Sequence, residues 1–323
     1  MAKETASNGT VAILNVGTKI LLKDTMDQFI RTLGDYKTHY ASNMQSALRT
    51  LKEAGIDILN CEVDFNDGSV FRLLRNIDWS ADTSDLFVIL AIEEDRKDLR
   101  ALAEELEVHA ILTKPFSAAD LKTLMTQYET WKALPKQPWQ LLVREAKEAL
   151  RENRFRQAEG SLFQAVKGAP NNPVPVLKFG EYYIEKMQYD MAEKFLKKAL
   201  ELKPDYVAAL SAMGSLKTKT GQFENAREYF LRAQALSPLN PDRIVAMVQL
   251  QVDWSIEMCK QALRTDPGAS AARYLLGKLH ALDKDYAGAA REIEAASPQL
   301  HPDLKSEAQT FLALARKLGG LAK

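Results

Sequence analysis

A chain of 323 residues, 46% apolar and 27% charged, suggests about two globular domains and excludes a fibrous or disordered composition. Basic and acidic side chains number 43 each, yet residues 1–134 carry 15 basic against 21 acidic and residues 135–323 carry 28 against 22. The positive balance of the second half is too dilute for a nucleic-acid surface, and the opposite signs describe either two ordinarily solvated surfaces or halves that attract each other.

The first ten residues, MAKETASNGT, are polar and lack a secretory apolar core, so 1–10 reads as a flexible start of a cytoplasmic chain. Val11–Val16 (VAILNV) predicts a strand buried on both faces. Leu22, Met26, Phe29, Ile30 and Leu33 then recur at helical spacing until Gly34. Lys37–Ala41, Ile56–Cys61, Leu86–Ile92 and Ala110–Thr113 predict four more strands. Helices are expected over Met44–Glu53, Val70–Arg75, Arg96–Glu107 and Ser117–Tyr128, the last capped by Ser117 with Asp120. The longest apolar run, Leu86–Ile92, is too short to cross a bilayer, so no direct membrane insertion is expected. Five strands alternating with five helices predict a parallel sheet covered on both faces, with its site at the carboxyl ends of the strands.

Lys114-Pro115-Phe116 follows the fifth strand, Asp57 opens the third, and Asp67-Gly68 precedes the third helix. On these residues, 11–130 resembles a response-regulator receiver domain of bacterial two-component signalling. The resemblance implies an α/β flavodoxin-like, doubly wound, five-stranded parallel sheet and a cis Lys114–Pro115 peptide. A working receiver needs an acceptor aspartate, an acidic pair that holds Mg²⁺ against phosphoryl repulsion, and a hydroxyl and a lysine for the phosphoryl oxygens. Gly17 and Thr18 stand where the acidic pair belongs, Ala91 at the hydroxyl and Ile111 at the switch aromatic. The acceptor falls on Glu62 counting from Asp57, or on Asn60 counting back from Gly68, and neither is an aspartate. Glu62 reads either as a carboxylate imitating part of a phosphate's charge or as a structural partner of Lys114, itself otherwise a relic of the pocket. Asp64 and Asp67 read as loop residues rather than replacement acceptors. The expectation is a pseudo-receiver with no cofactor and no metal.

ETWKALPKQP (129–138) has two prolines and no periodicity and reads as linker, with 131–138 assigned to it. Beyond it, Pro170, Pro204 and Pro238 are spaced by 34 residues, as are Ala158, Ala192 and Ala226, Ala165, Ala199 and Ala233, and Gly180 and Gly214. This is the tetratricopeptide period. Residues 139–323 thus resemble an all-α solenoid of about five such repeats, closed by a capping helix over Leu304–Leu318. Small residues let the two helices of each hairpin approach, with Phe179, Tyr183, Tyr189, Phe195, Phe223 and Phe230 beside them. Lys217 replaces a usual aromatic, predicting one loosened contact. Pro238 to Pro267 spans only 29, so a shortened fourth repeat (241–269) is expected, with a tight turn near Val252–Asp253.

The repeat family binds peptides or helices in a groove, and its matching positions here are Val143, Lys147, Leu177, Glu181, Ser211, Ser215, Tyr274 and Lys278. The asparagines of the family's carboxylate clamp are absent from them, which disfavours a chaperone-tail receptor and favours an internal segment or helix of a partner. Cys61 and Cys259 lie far apart and read as small apolar residues of a reducing cytoplasm. His39, His109, His280 and His301 are scattered, and no phosphate loop, nucleophile elbow or HExxH motif occurs. The whole reads as a bacterial signalling adaptor, not an enzyme, that holds proteins through the repeat groove and the receiver surface around its last two helices. It takes no nucleic acid, and self-association remains open. The alternatives are a receiver switched by phosphate at an unorthodox aspartate, which gates the groove, and a small-molecule sensor that uses the vacated pocket.

Overall fold

A computed structural model of the chain describes residues 10–17, 36–77, 86–94, 96, 98–106, 108–135 and 138–320. The helix expected over Leu22–Leu33 lies outside them.

β1 (Val11–Val16), β2 (Tyr36–Ala41), β3 (Ile58–Glu62), β6 (Phe87–Glu93) and β7 (Ala110–Lys114) form one five-stranded sheet, ordered β2-β1-β3-β6-β7 with every pair parallel. Side chains alternate between its faces. Leu14, Val16, Leu59, Cys61, Leu90 and Ile92 point toward α1 (Met44–Glu53), α2 (Val70–Asn76) and α3 (Asp98–Glu105). Ile13, Ile58, Phe87, Ile89 and Leu112 point toward α4 (Ala118–Ala133). β1 and β6 are buried on both faces, which is why they read as continuous hydrophobic runs, whereas the edge strand β2 (YKTHYA) is only partly buried. A small hairpin of β4 (Asp64–Phe65) and β5 (Gly68–Ser69), too short to leave a sequence pattern, stands between β3 and α2.

α4 begins on the expected Ser117–Asp120 capping box but runs on to Ala133. Residues 129–133 are therefore helical and do not belong to a linker. Trp131 provides the reason: its ring packs against Phe87 and His109, with centroids 5.3 and 4.8 Å apart, so apolar contact extends the helix. At the same, amino-terminal end of the sheet, Asp57 accepts from Ala12 N (2.9 Å), Tyr128 Oη (3.3 Å) and Lys132 Nζ (3.3 Å), tying α4 to β1 and β3.

The second half is helical. Hairpins pair α5 (Pro138–Arg151) with α6 (Phe155–Gly168), α7 (Pro173–Glu185) with α8 (Tyr189–Leu202), and α9 (Val207–Lys219) with α10 (Phe223–Leu236). The 34-spaced alanines, at 158, 192 and 226 and at 165, 199 and 233, are all fully buried. A Cβ on Gly180 would lie 2.8 Å from Leu196 Cδ2, and one on Gly214 would lie 2.8 Å from the Phe230 ring, so only glycine permits these helix contacts. The turn inside each hairpin uses one left-handed residue: Asn153 (φ 58°), Met187 (φ 55°) and Gly221 (φ 71°).

The fourth repeat departs from expectation. No turn occurs near Val252–Asp253; α11 is one continuous helix from Pro241 to Thr265. The shortening removed the inter-helix turn itself, and no Gly, Pro or Asn remains between Asp242 and Asp266 to break the helix. Val248 occupies the position of Gly180 and Gly214 and stays 61% exposed, because no second helix folds back over it. Regular pairing resumes with α12 (Ser270–Leu282) and α13 (Tyr286–Ala296), whose turn residue Lys284 has φ 63°, and α14 (Pro302–Leu318) closes the array. The contact at Lys217 is not loosened either. Its side chain is buried and its ammonium binds Glu193 at 2.8 Å and Gln222 at 3.1 Å, an ion pair in place of aromatic packing.

Candidate functional site

At the carboxyl ends of the strands, β1, β3, β6 and β7 bring Gly17, Glu62, Ala91 and Lys114 together. Glu62 pairs in register with Ala91, and Glu93 with Lys114. Lys114 Nζ lies 2.5 Å from Glu62 Oε1 and 3.6 Å from Glu93 Oε1. The Lys114 and Glu62 side chains are only 13% and 12% exposed, so their attraction is little screened. A Cβ on Gly17 would fall 2.6 Å from Glu62 Cδ and 2.8 Å from its Cγ. The glutamate thus lies across the glycine, in the space an acidic residue at position 17 would need. Ala91 offers a methyl where a hydroxyl would serve a phosphoryl oxygen. The Lys114–Pro115 peptide is cis.

The remaining pocket residues part company. Asn60 Nδ2 donates to Asn15 Oδ1 at 2.8 Å, so the alternative acceptor position is engaged within the sheet. Ile111 packs partly against the core beneath α1–α3. Thr18 lies outside the described residues. Asp67 Oδ1 accepts from Met44 N at 2.6 Å at the start of α1, and Asp64 belongs to β4. Among the described residues, no three His, Cys, Asp or Glu side chains come together in a way that would hold a metal ion.

Between α3, β7 and α4 opens a cavity of about 410 Å³, lined by Phe87, Glu104, Val108, His109, Gln127 and Trp131 among others. Val88 N–H donates to His109 Nδ1 at 3.0 Å, which leaves the proton of the neutral ring on Nε2. The imidazole stacks on Phe87 (5.1 Å), and burial pushes its pKa down to about 4. Cys61 is fully buried, and burial pushes its thiol pKa up. Cys259 is half-buried and shifted in the same direction by the same cause.

Of the eight groove positions, Val143, Leu177 and Tyr274 are corrected by the structure. Their side chains are buried in helix packing, 7%, 0% and 3% exposed, because their inward spacing matches the apolar stripe of each first helix. Glu181 is salt-bridged to Lys178 (2.9 Å), and Lys278 to Glu307 (2.8 Å). Ser211 Oγ accepts from Arg243 Nη1 at 3.2 Å. Lys147 is exposed and Ser215 half-buried. The sequence reading missed the residues that join the two halves, Glu105, Ser237, Asn240 and Arg243; an arginine two residues after a helix-opening proline was the available signal.

The tetratricopeptide repeat family matches residues 177–206, 207–238 and 248–304. The last match begins inside α11. No curated protein matches the chain. Among solved structures, the chemotaxis protein CheY4 of Vibrio cholerae is similar at 15% identity over 37% of this chain and 99% of that one, with a TM-score of 0.34. A response regulator receiver domain protein of Clostridium thermocellum is similar at 22% identity over 38% and 96%, TM-score 0.34. The second tetratricopeptide domain of human RPAP3, solved with an HSP70 peptide, is similar at 18% identity over 35% and 98%, TM-score 0.32. No helix among the described residues is long and apolar enough to cross a membrane. The chain joins an N-terminal parallel sheet of flavodoxin-like strand order to a helical run in which residues 177–206, 207–238 and 248–304 match tetratricopeptide repeats.

Proposed function

We propose that this protein is a non-catalytic signalling adaptor, in which a pseudo-receiver is coupled to a repeat array that holds a partner protein. The observation that carries this reading is Glu62 lying across Gly17 with its carboxylate on Lys114. An incoming phosphoryl group meets a glutamate already neutralising the lysine, and it finds neither an acidic pair for Mg²⁺ nor a hydroxyl at Ala91. The array, with the half-buried and exposed positions Lys147, Glu181, Ser211, Ser215 and Lys278 on its first helices, supplies the protein-binding part, as repeats of this kind do. No nucleic-acid partner and no cofactor belong to this reading, which sets the chain in a bacterial cytoplasm.

The test is incubation of the full chain with acetyl phosphate and Mg²⁺, followed by intact mass and by capture from a native lysate with and without the phosphodonor. Unchanged mass and the same partner in both captures are the expected results. A phosphoryl adduct on Asp64 or Asp67 would replace the adaptor by a phosphorylated switch. A second reading, in which the receiver-like unit gates the array without phosphate, draws on the contact between Glu105 and Arg243.

A further inference from the structure

The turn Ser237-Pro238-Leu239-Asn240 between α10 and α11 meets the carboxyl end of α3. Glu105, the last residue of α3, is the point of contact. Its Oε1 accepts from Asn240 Nδ2 (2.7 Å) and Arg243 Nη1 (2.8 Å), and its Oε2 accepts from Ser237 Oγ (2.7 Å) and, weakly, Arg243 Nη2 (3.5 Å). The Glu105 side chain is 6% exposed and that of Arg243 1%. Leu239 packs beside them against the apolar core beneath α1–α3.

Everything except Glu105 in this cage belongs to the repeat array and is fixed there. Asn240 caps α11, its Oδ1 accepting from Asp242 N (2.9 Å) and Arg243 N (3.4 Å), which turns its amide nitrogen outward to Glu105. Arg243 is held by Gln234 Oε1 (3.2 Å), Ser211 Oγ (3.2 Å) and the carbonyl of Ser237. Those three acceptors position the guanidinium but are all neutral. The balancing negative charge comes from the other half of the chain. A buried guanidinium beside a helix N-terminus and two aimed neutral donors form a site for an anion, and the fork suits a carboxylate. Glu105, in turn, sits at the C-terminal end of α3, where a negative charge opposes the helix dipole. Its own helix does not explain its presence there; the cage does.

We propose that Ser237, Asn240 and Arg243 form a carboxylate receptor on the repeat array that the receiver-like unit fills in cis with Glu105. Docking of that unit and capture of an acidic partner segment at this edge are then mutually exclusive. Ser211, one of the groove positions, is bonded to the same arginine, so the receptor is joined directly to the first helix α9. This rests on the reading of the array as a protein-binding module.

The test uses full-length chains and a fluorescein-labelled hexaglutamate peptide, read by anisotropy. Wild type is expected to bind weakly, because the cis carboxylate competes. Glu105→Ala should bind about tenfold tighter or more, since the competent fraction rises when the internal occupant is removed. Adding Arg243→Gln or Asn240→Ala to that variant should return binding to the wild-type level. Equal affinity of wild type and Glu105→Ala, or tight binding that survives both cage substitutions, overturns the proposal. If Glu105→Ala does not fold by circular dichroism, Glu105→Lys, whose charge the guanidinium of Arg243 repels from the cage, is read by the same criteria. A lysate partner recovered equally by wild type and Glu105→Ala, with no peptide response in either, would overturn the receptor and leave the adaptor reading standing.

Discussion

Lys114 and Glu62 make a partly buried pair whose members depend on each other. Replacing Glu62 by Ala leaves the ammonium, among the described residues, with Glu93 at 3.6 Å and should cost about 1.5–3 kcal/mol in urea unfolding. Replacing both, by Glu62→Gln with Lys114→Met, should recover most of that loss, because the cost lies in an uncompensated charge rather than in a missing contact. A double variant no more stable than Glu62→Ala would show that the pair has no such interdependence. His109 gives a second expectation at this scale. Its folded pKa, about 4, lies below the ordinary value of 6.5, so the unfolded chain takes the proton first as pH falls. The contribution is fully present above about pH 6.5 and fades toward pH 4. The residue remains exposed to solvent, so screening holds the loss to about 1 kcal/mol or less, well below the full linkage value. His109→Gln, compared with wild type by thermal unfolding at pH 7 and pH 5, should show a flatter acid decline.

At the scale of elements, close helix approach depends on glycine where hairpins exist and not where the hairpin is missing. Gly214→Ala places a methyl 2.8 Å from the Phe230 ring and should destabilise the array by about 1–3 kcal/mol. Val248→Ala, at the corresponding place on α11, should change stability by no more than about 0.5 kcal/mol. Denaturant unfolding of both variants checks the contrast, and equal losses would contradict the unpaired α11. The same comparison shows what can be read from sequence. Strands and hairpins were legible because burial on both sheet faces and a 34-residue period leave one-dimensional marks. The 29-residue spacing located the deletion, but it did not say whether a turn was shortened or removed. That depended on the absence of any helix breaker between Asp242 and Asp266. In the pocket, the substitutions were legible residue by residue. The lie of Glu62 over Gly17 was not, because it is a contact between β3 and the end of β1, elements that pair only in the fold. The eight groove positions carried a related error: a repeat period identifies an inward helix face, but Val143, Leu177 and Tyr274 spend that face on their neighbours.

At the scale of the whole molecule, the opposite charge balances of the two halves converge on one buried pair, Glu105 with Arg243. The diffuse imbalance favours approach, and the cage sets where the halves meet. Surface ion pairs contribute little, but this one is nearly dry, so its thermodynamics differ. Removing Glu105 strands the guanidinium among neutral acceptors; removing Arg243 leaves the carboxylate with two neutral donors. Each single substitution, Glu105→Ala or Arg243→Ala, should therefore cost about 3–5 kcal/mol in the full chain. Once one charge is gone the other has nothing left to lose by leaving, so the double variant should cost little more than either single one. The coupling is read from a double-mutant cycle in urea; a double loss close to either single loss makes it about 3–5 kcal/mol, the size of one single loss. Strict additivity of the two losses would mean that the halves are stabilised separately. A large coupling would mean that unfolding of the sheet is felt at the α10–α11 turn, because one buried charge from each half depends on the other.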